Sequence, residues 1–465
     1  MKLSFHGAAR TVTGSCHFLD TGHHKILFDC GLFQGAKKIR ALNYEKFKFD
    51  PSSIDYLFLS HAHLDHTGRI PKLVKQGFKG RIICTRPTRD LARLILLDAV
   101  RLSAEDYKRA LKRNLPPEKL KIYEPLYNEA DVFHAIGMMD TYNYSDSVKL
   151  SENLEFQFRG AGHIMGSAIT ELWVKNEQDK TRKIVFSGDL GHRGQRIVKD
   201  PDMVSEADYV IVESTYGNRF HKSRDETVLE LLAILHEANK HDGNVIIPTF
   251  AVERAQELIY ELNLFKKNKL IDKLSVYLDS PMAIEATEIF KRYESDYDED
   301  AARLVASGND PLEFKGLHYS KTTDDSKALN NKTGVVLLAG SGMATGGRVL
   351  IHLRNNLPRS SAHVIFVGFQ VPGTLGRSIL DGKNPIKIFG EEVKVQAKTH
   401  TLGGFSAHAD QRDLEYWLRG FGKMPQKVFM VHGEESIATE FAANIKKEIG
   451  QDTYVPSMHE EFELI

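Results

Sequence analysis

A chain of 465 residues, 42% hydrophobic and 27% charged, has the composition of a globular protein of two to three domains with a sizeable core. Its 62 basic and 62 acidic residues cancel, which excludes a polyanion binder working by global attraction; such a partner has to be held by a local basic groove. Three cysteines without CxxC spacing (Cys16, Cys30 and Cys84) exclude a disulfide framework. The N-terminal MKLSFHGAARTVTGS has no apolar core of signal-peptide length, and no run approaches the ~18 apolar residues of a membrane span, so a cytoplasmic protein with no membrane partner is expected.

The first thirty residues alternate short strands (3–5, 16–19 and 25–28) with turns, the last strand ending in Asp29. The apolar run Tyr56, Leu57, Phe58, Leu59 then leads into His61-Ala62-His63-Leu64-Asp65-His66 and a helix over 67–77. Imidazoles and a carboxylate crowded at the end of a buried strand need partners, or they lose more hydration than they regain. A divalent metal is the simplest partner. His61 and His63, two apart in an extended segment, point to one side; Asp65 and His66 follow as the chain turns, so one pair can face one metal and the next pair a second. A strand at 81–84 and a long helix at 87–113 come next, the helix opened by Pro87. Its basic later part, running on to Lys121, reads as a solvated face.

Strands recur at 154–158, 168–174, 183–186 and 209–212. Three of them lead to ionisable residues: His163 in a Gly-flanked loop, Asp189, and Glu213. Loops at strand ends on a rigid scaffold are where sites are built. From about 218, helical patterns (225–240, 252–264, 281–293) alternate with apolar strands (245–247, 276–278, 335–338, 364–367), the pattern of a parallel sheet with helices on both faces. Residues 296–333 are polar and less regular. Two glycine-rich strand-to-helix turns, 340–348 and 373–377, can turn backbone N–H groups toward phosphate. Ser341, Gly342, Thr345, Gly346, Arg348, Thr374 and Arg377 are the candidate substrate-phosphate contacts, expected to line a cleft between two domains. Thr345 stands where a dinucleotide fingerprint has its third glycine, which argues against a nucleotide cofactor. After about 390 the short-strand style resumes, with a strand at 392–399, a helix from 410, a strand at 428–431 ending at His432, and a helix at 436–448. One domain is interrupted by another, with segments 1–212, 213–392 and 393–465.

Seven residues are candidate metal ligands: His61, His63, Asp65, His66, His163, Asp189 and His432. Imidazole nitrogen and carboxylate oxygen suit zinc, and catalytic zinc sites keep a position open for water. With neutral imidazoles and two carboxylates, two divalent ions leave a net charge of about +2, enough to hold hydroxide and an anionic substrate. Two ions ~3.5–4 Å apart can stabilise the attacking and leaving oxygens of a displacement at phosphorus.

These motifs carry a family resemblance. HAHLDH, with Asp29 before it and His163 and Asp189 after it, resembles the metallo-β-lactamase superfamily, an αββα sandwich with a two-metal site at one edge. VESTYGNR, GGFSAHAD and VFMVHGE resemble the three extra motifs of the β-CASP nucleases, and LLAGSGMATGGRVLIHLRNNLP and FVGFQVPGTLGRSILDG are similar to stretches of the same group. The resemblance implies an α/β fold, the αββα sandwich interrupted by a β-CASP domain with a mainly parallel sheet flanked by helices. It implies two Zn2+, one on His61, His63 and His163, the other on Asp65, His66 and His432, with Asp189 bridging. Asp29 supports the ligand loop without binding metal. Glu213 pairs with His408, His408 is the general acid, and Asp65 joins them among the catalytic residues.

The implied activity is that of a ribonuclease on single-stranded RNA. A hydroxide activated by two zincs attacks phosphorus, and His408, kept charged by Glu213, protonates the departing O3′, leaving 3′-hydroxyl and 5′-phosphate ends. Endonuclease action is favoured over 5′-exonuclease action, and a homodimer is common among prokaryotic relatives. A DNA nuclease is the alternative, disfavoured by a family rule that His at position 432 marks RNA-acting members. A small-molecule hydrolase on the same site would not need an insertion of ~180 residues, and a non-catalytic RNA-binding subunit would not need the intact ligand set.

Overall fold

The computed structural model describes residues 1–113, 116–368, 370–371 and 373–465; Phe369 and Pro372 of the motif at 366–382 lie outside the described residues. The chain forms two compact units, one of residues 1–193, 200–220 and 408–465, the other of residues 194–199 and 221–407.

Two seven-stranded sheets build the first unit. In one, the order is Glu461–Glu463, Lys2–Phe5, His17–Asp20, Lys25–Phe28, Tyr56–Phe58, Arg81–Thr85 and Met139–Tyr142. In the other it is Thr453–Tyr454, Lys427–Val431, Tyr209–Glu213, Thr181–Phe186, Ala168–Lys175, Leu154–Gly160 and Val148–Ser151. Alternating apolar residues of the two sheets face one another. Phe28 lies 5.1 Å from Phe186, Phe58 5.2 Å from Phe156, and Phe5 5.4 Å from Phe429 between ring centroids. All six rings are buried, each stabilising the sandwich by roughly 2–3 kcal/mol of apolar transfer. Helices Gln411–Arg419 and Glu435–Ile449 cover the outer face of the second sheet, where Leu414, Trp417, Phe441 and Ile445 pack with Val210, Val212, Val428 and Met430. Helix Arg86–Leu111 lies beside Arg81–Thr85 and Met139–Tyr142, completing four αββα layers.

The second unit holds a six-stranded sheet in the order Leu317–Tyr319, Ser275–Leu278, Val335–Ala339, Val245–Pro248, His363–Phe366 and Lys398–Thr401. Every neighbouring pair is parallel. Its central strands are apolar throughout, as expected where helices cover both faces. This unit runs to Ala407 rather than to 392, because Lys398–Thr401 is an edge strand of its sheet. The single strand expected over 392–399 is two. Glu391–Val393 pairs with Ile386–Ile388, and the chain then bends where the N–H groups of Gln396 and Ala397 both donate to the Leu357 carbonyl. The irregular region 296–333 contains helices Glu299–Ala306 and Thr323–Ala328 and strand Leu317–Tyr319.

Candidate metal centre

The strands Thr181–Phe186, Tyr209–Glu213 and Lys427–Val431 run parallel, so their C-terminal ends deliver Asp189, Glu213 and His432 to one edge of the first unit. The loop after Tyr56–Phe58 brings His61, His63, Asp65 and His66, and the loop after Leu154–Gly160 brings His163. Close backbone approach fixes the HxHxDH loop: a Cβ on Gly31 would lie 1.5 Å from the Asp65 carbonyl oxygen. His432 adopts φ +50 and Asp29 φ +59, a left-handed conformation costly for such residues and commonest at functional sites.

Two groups of donors that share no residue result, with the donor atoms of each within 4.8 Å of one another: His61, His63, His163 and Asp189, and Asp65, His66 and His432; a third, Asp189, Glu213 and His432, overlaps both. In the first, His63 Nδ1 is 3.1 Å from His61 Nε2 and 3.2 Å from His163 Nε2. In the second, His66 Nε2 is 3.2 Å from His432 Nε2, which lies 3.5 Å from Asp65 Oδ2. Asp189 Oδ2 reaches both groups, at 3.5 Å from His61, 3.7 Å from His163 and 3.3 Å from His66. Ligands ~2.1 Å from a tetrahedral ion lie ~3.4 Å apart, and these separations are close to that edge. Asp189 Oδ1 is buried without a hydrogen-bond partner, as a carboxylate awaiting a cation would be. The donor set fits divalent metal in two adjacent positions sharing Asp189.

The hydrogen bonds behind the ligands agree. Asp29 accepts from Ser60 N at 2.8 Å, from Ser60 Oγ at 2.9 Å and from Ser15 Oγ at 3.2 Å, and meets His66 Nδ1 at 2.7 Å. Ser60 Oγ meets His61 Nδ1 at 3.0 Å, and Thr215 Oγ1 meets His432 Nδ1 at 3.2 Å. Each contact places the proton on Nδ1 and leaves the Nε2 lone pair toward the cluster. Asp29 thus stands behind the candidate ligand His66. Ser60, Ser15 and Thr215 were not foreseen from the sequence; the adjacency of Ser60 to His61 was the available signal.

His408 stands beside the cluster, its ring centroid 4.4 Å from that of His163 and its Nδ1 3.9 Å from Asp189 Oδ2. Its Nδ1 meets Glu213 Oε1 at 3.2 Å and Oε2 at 3.3 Å. Glu213 is itself fixed by N–H donation from Leu190 at 2.7 Å and Thr215 at 3.3 Å. A backbone bridge between Gly191 and His408 ties His408 to the loop of Asp189.

Charge separates the imidazoles. Burial holds His61 well below its ordinary range and His63 at about 4. For His66 and His432 burial also opposes protonation, but Asp189 with Asp29 or Asp65 outweighs it and raises both. Burial opposes charge on His408 too, yet the Glu213 carboxylate lifts it to about 9. Bound cations would lower these values by cancelling the carboxylates.

The glycine-rich turns lie in the second unit and contact one another: Gln370 Nε2 donates to the Gly342 carbonyl at 3.1 Å and Gly376 N–H to that of Met343 at 3.3 Å. The hydroxyls of Ser341 and Thr345 bond to each other at 3.1 Å. Thr374 Oγ1 caps the following helix and donates to Val371 O at 2.7 Å. Arg348 Nη1 donates to Asp279 and to Ser320 O, both at 2.7 Å, and Arg377 pairs with Asp381 at 2.8 Å. Gly342 and Gly346 lie in the same turn as Ser341 and Thr345.

An αββα sandwich carrying this histidine–aspartate edge defines a metallo-hydrolase. Three family models match in order: "Metallo-beta-lactamase superfamily" over residues 9–133, "Beta-Casp domain" over 255–379 and "Zn-dependent metallo-hydrolase RNA specificity domain" over 392–456. The chain is 40% identical over 436 residues to Ribonuclease TTHA0252 of Thermus thermophilus, covering 94% of each chain. It is 31% identical over 467 residues to Transcription termination factor FttA of Methanocaldococcus jannaschii, covering 98% of this chain and 70% of that one. A crystal structure of a protein of unknown function from Enterococcus faecalis shares the fold, with TM-score 0.54 at 14% identity over 100% of this chain and 99% of that one. The chain belongs to the β-CASP family of the metallo-β-lactamase superfamily. Among the described residues no helix is long and apolar enough to cross a membrane.

Proposed function

We propose that this chain is a cytoplasmic zinc-dependent ribonuclease that hydrolyses phosphodiester bonds of single-stranded RNA and leaves 3′-hydroxyl and 5′-phosphate ends, acting as an endonuclease. The observation that carries this reading is the partly exposed His408, paired with the buried Glu213 beside a two-compartment donor cluster and 3.9 Å from the carboxylate common to both compartments. The ribonuclease name of the Thermus relative and the RNA specificity domain matched over 392–456 support RNA as the substrate.

In this reading His61, His63, His163 and Asp189 hold one Zn2+, and Asp65, His66, His432 and Asp189 the other. When bound, two such ions lower the pKa of an attacking water and neutralise charge developing at phosphorus. The residues of the chain do the rest. Glu213 fixes His408 through Nδ1, so Nε2 is the nitrogen that gives a proton to the departing O3′. Asp29, Ser60 and Thr215 keep the ligand rings in one tautomer and orientation. In the second unit's turns Ser341, Gly342, Thr345, Gly346, Arg348, Thr374 and Arg377 are the proposed phosphate contacts; of these Ser341, Thr345, Thr374, Arg348 and Arg377 also bond within the unit.

The test compares wild type with His408→Ala on an end-labelled single-stranded RNA and the matched DNA, with zinc content measured in both proteins. The reading predicts RNA cleavage by wild type and a mutant that keeps its zinc but cuts at least ~10²-fold more slowly. Equal rates for the two proteins would remove His408 from the mechanism, and preferential cleavage of DNA would overturn the substrate assignment.

A further inference from the structure

Beside His408 the first unit carries three arginine–aromatic pairs that the chemistry above does not use. Tyr216, whose ring meets His408 edge-on with centroids 5.8 Å apart, lies under Arg219, whose guanidinium carbon is 5.5 Å from the ring centroid. Phe220, 54% exposed, carries Arg412 at 4.6 Å. Tyr416, one turn further along the same helix and 49% exposed, carries Arg193 at 4.1 Å. The segments are joined where Gln411 N–H donates to the Arg219 carbonyl at 3.1 Å.

Exposed arginine–aromatic pairs occur about once per 70–80 residues and alone mean little. Here they fall in two segments, 216–220 and 412–416, that are joined to each other and touch the proposed acid through Tyr216. The charges are also unequal: Arg193 is paired with Asp413 at 2.8 Å, whereas Arg412 makes no ion pair among the described residues. Two large rings kept half in water, one of them under a guanidinium with no ion pair among the described residues, match what a single-stranded polynucleotide binds: flat faces for bases and a cation for phosphate.

We propose that this ridge binds the single-stranded substrate on one side of the scissile phosphate, with bases stacking on Phe220 and Tyr416 and Arg412 meeting the backbone. No base edge is read, so the contact is tolerant of sequence. The proposal rests on the ribonuclease reading.

The test uses the zinc-loaded full chain with two substrates, a single-stranded RNA of about 20 nucleotides and bis(p-nitrophenyl) phosphate, a diester too small to reach the ridge. Phe220→Ala and Arg412→Gln are each expected to raise KM for RNA roughly 5- to 20-fold with kcat within about twofold, and Phe220→Tyr to restore KM. Arg412→Gln should also reduce the slope of log(kcat/KM) against log salt by about 0.7. Hydrolysis of bis(p-nitrophenyl) phosphate should not change. Unchanged KM for RNA in both variants overturns the ridge alone. Parallel loss on both substrates also overturns it, since the residues would then be supporting the metal centre. A wild-type protein that hydrolyses the small diester but no RNA overturns the ribonuclease reading, and the ridge with it.

Discussion

Three candidate ligand imidazoles are held at the far nitrogen by a short polar side chain: His61 by Ser60, His66 by Asp29 and His432 by Thr215. Such contacts set ring orientation and basicity, and their loss typically costs 10–100-fold in metal affinity. Asp29→Asn is therefore expected to release zinc from the His66 position at chelator concentrations that wild type withstands, while near-UV circular dichroism stays native. Metal content equal to wild type after the same dialysis would show that Asp29 is a core hydrogen-bonding residue and no more. The candidate ligands were legible as a pattern: at 61–66 a strand end, histidine density, a spacing of two and a carboxylate coincide, and His163, Asp189 and His432 each follow a strand next to glycine. Ser60 was signalled only by its adjacency to His61, and Thr215 by nothing, since its partner His432 lies 217 residues away in the sequence.

At the scale of elements, Arg348 shows how a turn that looks made for phosphate serves the fold. Its guanidinium and His352 Nε2, at 2.6 Å, both hold Asp279 at the end of the strand Ser275–Leu278, with Ser326 Oγ also at 2.6 Å. Burial would raise the Asp279 pKa, but His352, Ser326 and Arg348 hold it below the ordinary carboxylate value. A depressed folded-state pKa gives stability that is present above the unfolded value of about 3.9 and lost as pH falls through the folded one. The second unit should therefore lose this contribution only in acid, below about pH 4. Arg348→Ala leaves a buried carboxylate short of its cation and should cost roughly 3 kcal/mol, seen as a lower urea midpoint at neutral pH. A midpoint like wild type combined with weakened RNA affinity would return Arg348 to a phosphate-binding role.

Elements were legible where burial imposes a pattern. The central strands of the second sheet are apolar throughout and were found within a residue or two. Strands 139–142, 148–151 and 398–401 were missed or misplaced because MDTY, VKLS and KTHT are mostly half-exposed or exposed edge strands. Tyr142, Val148 and Leu150 rest only partly buried against the core, so these short strands leave too weak a hydrophobic period to read.

For the molecule as a whole, the seven candidate ligands, His408 and Glu213 all belong to the first unit, although that unit is written in segments before and after the second. His66 and His432, 366 residues apart in sequence, meet at 3.2 Å. Metal binding should therefore clamp the returning C-terminal segment to the N-terminal sheets, and anything that binds only the folded state stabilises it. Chelation is expected to lower the Tm, and zinc to restore it; a Tm indifferent to chelator would mean that the cluster is not a structural clamp. With acidic and basic residues in balance, RNA affinity has to come from local cations, so activity on RNA should fall between low and moderate salt.

The central claim, a metal-dependent ribonuclease, is tested most directly by following cleavage of a single-stranded RNA and bound metal together as purified protein is stripped with chelator and reloaded with zinc. The account predicts that cleavage vanishes with the metal, returns as zinc approaches two ions per chain, and yields 5′-phosphate ends. Cleavage that survives complete removal of metal, or a fully loaded protein that leaves RNA intact, would contradict it.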